Sequence, residues 1–234
     1  MTPPPPPPDV FRYTIDPSLE SFNVSPKQWM TQNDKHHFQG IAVASVVFDS
    51  QGRVLLVQRA AHDSMPNRWE VTGGAADQED DTEIPNEARD QDADGSDSRP
   101  RQSRGTILSG AARELWEEAG LVAKHFSHLV PQPAEAPVRG AVEAPPPAYA
   151  DHAGFVYTNR TGTKLFLRFT FHVEVQSTED IVLDPAEHQA YVWATEEEVR
   201  AGMTKDNRDI PATVPATRAY ILEAFRLRAL AKGK

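Results

Sequence analysis

The run Arg113-Glu114-Leu115-Trp116-Glu117-Glu118-Ala119-Gly120-Leu121 constrains this chain more than any other segment. Leu108, Ala112, Leu115, Ala119 and Val122 recur at spacings of four and three, the period of a helix with one buried stripe. Glu114, Glu117 and Glu118, at i, i+3 and i+4, then share one side of that helix. At about 100° per residue they fall beside the stripe, neither within it nor opposite it. The arrangement opposes stability. Like charges at i, i+4 cost roughly 0.2–0.5 kcal/mol. Anions in the last turn meet the negative end of the helix dipole, for roughly 0.3–1 kcal/mol more. Gly120 suits the position just past a helix end, which puts Glu117 and Glu118 in that turn. A divalent cation turns such repulsion into binding energy, and clustered carboxylate oxygens are what hard Mg²⁺ prefers. For an arbitrary Glu-rich helix the simpler account is a solvated acidic face.

The order of residues favours the first account. Arg113-Glu114-Leu115-x-Glu117-Glu118-x-Gly120-Leu121 resembles the second half of the signature of the Nudix (MutT-like) hydrolases, G-x5-E-x7-R-E-U-x-E-E-x-G-U with U aliphatic. Every specified position of that half is met, a coincidence expected on the order of once in a million start positions or fewer. The resemblance runs from about Phe38 to the region of Trp193. It implies an α/β (α+β) protein: a Nudix-type α/β/α sandwich with a mixed β-sheet and a loop–helix–loop metal site. It also implies Mg²⁺, with Mn²⁺ as a possible substitute, on Glu114, Glu117 and Glu118, with a carbonyl at Gly74 in reach of the metal. Arg113 has an orienting role, since at i, i+4 it can hold Glu117 in place. By the same resemblance, Glu114 and Glu118 are expected to carry catalysis together with Glu187, which lies in a loop where family members often place a further glutamate.

One departure matters. The signature sets its Gly and its Arg fourteen positions apart, whereas Gly74 and Arg113 are 39 apart, an excess of 25. The signature's first Glu, eight positions before the Arg, falls on Gly105, and Glu79 or Asp80 are the alternatives on the far side. Closure entropy grows slowly with loop length, so a long insertion between fixed ends costs little. The inserted residues, about 77–104, are acidic and nearly devoid of large apolar side chains, and are expected to be disordered. Residues 131–150 form a second, Pro/Ala-rich loop, and the Pro-rich residues 1–16 a disordered start. Residues 17–234 are then a single domain carrying both excursions.

Local signals place the remaining elements. Ser25-Pro26 opens a helix. Ile41 to Phe48 and Val54 to Val57 read as antiparallel strands across the turn Asp49-Ser50-Gln51-Gly52. Trp69 to Thr72 lead into Gly73-Gly74. Phe155 to Thr158, Lys164 to Val175 and Tyr191 to Ala194 are further strands. Thr195 caps a helix whose first-turn glutamates are favoured by the dipole. A last helix runs from Pro215 to Ala231, with Ile221, Leu222, Phe225 and Leu230 expected inside.

Composition excludes several functions. A net charge of −10 without a Lys/Arg cluster argues against nucleic acid and, with it, mRNA decapping. No run approaches 18 apolar residues, so no membrane span is expected, and the start of the chain lacks the features of a signal peptide, which makes a cytoplasmic location the expectation. The absence of Cys removes thiol catalysis and disfavours prenyl-diphosphate isomerisation, which related folds support. The resemblance implies a small nucleoside diphosphate derivative as the partner, cleaved at a phosphoanhydride bond. The alternative is a catalytically silent sensor of the same ligand, whose sequence mark would be loss of the metal glutamates. Trp29, Phe38, Phe155 and Trp193 are candidates for stacking on a base. His188 and the other seven histidines lack metal-ligand spacing and read as surface or satisfied core residues.

Overall fold

Alternation along two apolar segments organises the molecule. Ile41, Val43 and Val47, with Leu55 and Val57, enter one hydrophobic cluster, while Ala44, Val46, Val54 and Leu56 enter another. A strand buried on both faces must lie between two covering layers. The computed structural model describes residues 11–76, 101–103, 105–133, 153–159 and 161–233, and shows that arrangement. The strands are β1 (Phe11–Ile15), β2 (Gly40–Val46), β3 (Val54–Arg59), β4 (Trp69–Glu70), β5 (Arg101–Ser103), β6 (Ala123–Leu129), β7 (Phe155–Thr158), β8 (Leu165–Val175) and β9 (His188–Ala194). The helices are α1 (Pro26–Asn33), α2 (Ile107–Ala119), α3 (Glu196–Ala201) and α4 (Pro215–Lys232), with a 3-10 turn at Pro17–Phe22.

One mixed sheet runs β2-β8-β6-β1-β5, with β7 on β8, and a smaller sheet runs β4-β3-β9. The pairing of β2 with β8 and of β1 with β6 is parallel. Trp29 of α1 and the apolar stripe of α2 fill the first cluster, while Val199 of α3 and Tyr220, Ile221 and Phe225 of α4 fill the second. Helices therefore cover both faces, the mixed α+β architecture expected. No helix among the described residues is long and apolar enough to cross a membrane.

Four expectations need correction or restriction. Phe11–Ile15 were assigned to an irregular start, yet they form β1, with Tyr13 buried and edge-to-face with Phe126 at 4.8 Å. The prolines that dominate the local composition end at Pro8, and beyond them Phe11 and Tyr13 alternate inward as a strand requires. The expected hairpin survives only at its turn. Gly52 donates to Asp49, Leu55 donates to Val47, and the strands then part into different sheets. They part because both edges of β2 are taken, one by β8 and the other by residues 72–76. In α4, Leu230 is exposed and Leu222 only half-buried, because the buried stripe is Ala216-Tyr220-Ala224 with Thr217-Ile221-Phe225, and the last turns run past it. Finally, residues 1–10, 77–100, 104 and 134–152 lie outside the described residues, and with them most of the expected disordered start, acidic insert and Pro/Ala-rich loop; within the insert's span, Arg101–Ser103 pair with β1.

Candidate active site

The glutamate helix is fixed at both ends by its own residues. Thr106 and Ser109 close a reciprocal cap at the start of α2. Gly120 takes φ +67° after the last turn and donates to the Trp116 carbonyl at 2.8 Å. Ile107, Leu108, Ala111, Ala112, Leu115 and Ala119 are fully buried, so rotation of the helix is set and the carboxylates are aimed.

They are aimed at the strand edge beside β2. Residues 72–76 run along that edge: Val43 donates to the Gly74 carbonyl at 2.9 Å, Ser45 to Thr72 at 2.8 Å and Ala76 to Ile41 at 2.9 Å. Gly73 meets this edge so closely that a Cβ would sit 2.2 Å from the Val43 carbonyl oxygen. Its free N–H donates to the Glu118 carboxylate at 2.6 Å. A Cβ on Gly74 would lie 2.5 Å from a Glu114 carboxylate oxygen. The two glycines thus let main chain and carboxylates approach where any side chain would hold them apart.

Burial differs from expectation. The helical wheel puts all three glutamates beside the apolar stripe, whereas Glu118 is 4 % and Glu114 9 % exposed, and Glu117 is half-buried. The cause is the segment Gly73–Ala75, which packs over them, a long-range contact that helical periodicity cannot contain. Arg113 reaches Glu117 at 2.7 Å, Glu114 at 2.9 Å and the Ala75 carbonyl at 2.8 Å, so the i, i+4 contact with Glu117 is made. Burial pushes the Glu114 carboxyl up to about 7, with Glu117 and Glu187 adding to the rise and Arg113 opposing it. Burial also raises Glu118 well above the usual carboxylate range, reinforced by Glu114, Glu70 and Glu187 and opposed by the Gly73 N–H.

Glu187 joins the group from another direction. Asp184 accepts from the Ala186 and Glu187 amides at 2.8 and 3.1 Å, and Ala60 donates to the Glu187 carbonyl at 2.8 Å, which ties the loop to the end of β3. One oxygen each of Glu118 and Glu187 and one ring nitrogen of His188 lie within 4.8 Å of one another. Three participants were not foreseen. Glu70 sits opposite in strand phase to Trp69 and Val71, which are buried in the second cluster, so its carboxylate faces α2. Period-two reading of Trp69-Glu70-Val71 would have found it. Arg59 holds Glu70 at 2.5 Å and also pairs with Asp63. His188 is not on the surface: it is 1 % exposed, and among the described residues neither ring nitrogen has a hydrogen-bond partner.

A cavity of about 910 Å³ adjoins these residues, lined by Arg59, Glu70, Gly73 and Gly74 and also by Phe155, Tyr157, Phe166 and Arg168. Of the four stacking candidates, Phe155 lines it, Trp29 and Phe38 are buried in the core, and Trp193 packs against that core. The donor set suits a divalent cation, because buried carboxylates that repel one another are stabilised by positive charge and supply hard oxygen ligands. The Gly74 carbonyl, also expected near the ion, accepts from Val43 at 2.9 Å along the edge of β2.

The raised Glu114 gives a measurable consequence. Its folded value, about 7, lies above its ordinary value of 4.5, so the stability it contributes is complete below 4.5 and is lost as pH rises through 7. His172 acts oppositely: burial, then His128 and Arg228, lower it from 6.5 to about 4, so its contribution is lost as pH falls through that window. A difference between variants separates the two. In chelator, Glu114→Gln is expected to gain stability relative to the parent as pH rises from 5 to 8, by about 2 kcal/mol after allowance for partial exposure. Denaturant titrations at each pH measure this, and a difference that stays flat contradicts the burial assigned to Glu114.

Residues 99–214 match a family model described as the NUDIX domain. The match begins beyond Gly73 and Gly74, which the long insertion separates from the rest of the signature although the fold brings them back to it. A search of curated proteins finds no match. Among solved structures, a MutT protein from Methanosarcina mazei Go1 is 19% identical, with 81% of this chain and 94% of that one covered and a TM-score of 0.47. The Nudix domain of Shewanella oneidensis NrtR, complexed with ADP ribose, is 15% identical over 88% of this chain and 99% of that one, with a TM-score of 0.46. A C. elegans Ap4A hydrolase is 16% identical over 83% and 99%, also with a TM-score of 0.46.

Proposed function

We propose that this Nudix family protein is a Mg²⁺-dependent hydrolase that cleaves a phosphoanhydride bond in a nucleoside diphosphate linked to a further group, with Mn²⁺ as a possible substitute. The observation that carries the proposal is the buried Glu118 carboxylate, fixed by the Gly73 N–H at 2.6 Å in the midst of Glu70, Glu114 and Glu187. A buried carboxylate repelled by three others is retained against its own folding cost, and cation binding is the use that offsets it.

Phosphorus flanked by anionic oxygens repels nucleophiles, so the chemistry needs charge neutralisation and a positioned water more than it needs a reactive side chain. A divalent ion held by Glu114, Glu117 and Glu118 supplies that neutralisation and acidifies water. The residues of the chain do the rest. Arg113 fixes Glu117 and steadies Glu114. Glu114 or Glu187 takes the proton of the attacking water as the phosphate group leaves in line. Gly73 and Gly74 let the ligand approach the main chain.

The cavity supports a nucleoside as the organic part. Phe155, Tyr157 and Phe166 line it, with Phe155 and Tyr157 stacked at 6.1 Å and Tyr157 and Phe166 at 5.5 Å, so aromatic rings are present to receive a base. Arg168, which lines the cavity, lies over Phe155 at 5.4 Å and brings a cation to the lining, suited to an anionic ligand. Arg168→Ala is expected to raise KM about tenfold with kcat changed less than threefold. Steady-state kinetics measure it, and an unchanged KM removes Arg168 from the binding surface.

The test of the function is a Mg²⁺-dependent hydrolysis screen over nucleoside triphosphates, oxidised nucleotides, nucleotide sugars, ADP-ribose and dinucleoside polyphosphates. Turnover on at least one class is expected. Binding without turnover on all of them would replace the hydrolase with a sensor.

A further inference from the structure

His188 opens β9, paired in register with Arg59 at the far end of β3, and its ring is carried inward to 1 % exposure. Among the described residues neither Nδ1 nor Nε2 finds a hydrogen-bond partner. Glu70 stands 3.7 Å from Nε2, too far for a hydrogen bond, and its oxygen is already held by Arg59 at 2.5 Å. An imidazole buried with both nitrogens idle forfeits on the order of 1–3 kcal/mol per unsatisfied group, and such a group calls for a ligand. A ring nitrogen lies within 4.8 Å of oxygens from both Glu118 and Glu187. Those three side chains arrive from a helix end, a loop and a strand start, so they converge through the fold and not through sequence spacing.

We propose that His188 is a nitrogen ligand to a divalent metal held jointly with Glu118 and Glu187, which makes one position of the site a mixed carboxylate–imidazole site and not an all-oxygen one. The inference rests on the reading of the acidic cluster as a metal site, but not on turnover. All-oxygen sites suit Mg²⁺, whereas an imidazole shifts preference towards Co²⁺, Ni²⁺ and Zn²⁺. The position should therefore favour Co²⁺ over Mg²⁺ by more than the carboxylates alone would.

The experiment is pulsed electron paramagnetic resonance of the full chain loaded with Mn²⁺ and no substrate, read for coupling to a directly bound ¹⁴N. Wild-type protein should show it, protein labelled with ¹⁵N-histidine should convert it to the ¹⁵N signature, and His188→Gln should lose it. Calorimetry on the same proteins should find the ratio of Co²⁺ to Mg²⁺ affinity reduced about tenfold in His188→Gln. If His188→Gln does not fold, His188→Asn and the labelled wild type carry the test. Mn²⁺ bound without nitrogen coupling, or coupling that survives removal of His188, overturns the inference and leaves the hydrolase proposal intact. Nitrogen coupling in a protein that hydrolyses nothing sustains the inference and sinks the hydrolase.

Discussion

Glu118→Gln is expected to lower metal-dependent turnover by at least about a thousandfold, equivalent to roughly 4 kcal/mol of transition-state stabilisation, while leaving the metal-free protein folded. Gln keeps the size of the side chain and an oxygen to accept from Gly73, so the 2.6 Å contact and the helix position persist. What is lost is a negative charge, in a side chain only 4 % exposed and amid the repulsion of Glu70, Glu114 and Glu187. Removing that charge should make the metal-free protein more stable at and above neutral pH, because a raised folded value means stability is lost as the carboxyl ionises. Stability in chelator and activity at saturating Mg²⁺ should therefore move in opposite directions. Turnover within tenfold of wild type would exclude Glu118 as a principal metal ligand. A fall in stability would mean that its charge is structurally paired and not functionally reserved.

Gly73→Ala carries the second large effect. The added Cβ would stand 2.2 Å from the Val43 carbonyl oxygen and 2.7 Å from the Ala44 Cα, both of them backbone atoms that no rotamer change can move. Relief requires residues 72–74 to shift off β2, which breaks the bonds from Val43 to Gly74 and from Ser45 to Thr72. The expected cost is about 3 kcal/mol, the upper end for overpacking. The same displacement withdraws the N–H that fixes Glu118, so activity should fall further than stability alone explains. Thermal unfolding and kcat of the folded fraction separate the two losses. A variant with unchanged melting and unchanged kcat contradicts both the close approach and its role in the site.

How much of this was legible in the chain follows the range of the interactions. The cap at Thr106, the left-handed Gly120 and the pairing of Arg113 with Glu117 are contacts within four residues, and local spacing contains them. The strands at 54–59 and 155–158 and the helix after Thr195 were legible for the same reason. Burial of Glu114 and Glu118 was not, because it depends on residues some forty positions earlier that return along β2. The split of β2 from β3 was hidden likewise: the turn between them is local, but the partners that claim their edges are not. His188 was misread because its meaning comes from Glu118, which belongs to a different element altogether. Glu70 shows the reverse, a residue whose phase beside Trp69 was readable and went unused.

The most direct test of the account is calorimetric titration of Mg²⁺ into the protein at pH 6, alone and with a non-hydrolysable nucleoside diphosphate derivative. Saturable uptake with proton release is predicted for the wild type, since the raised carboxyls of Glu114 and Glu118 must ionise to bind, and neither should occur when both are replaced by Gln. Absence of uptake by the wild type under both conditions, or equal uptake by the double variant, would contradict it.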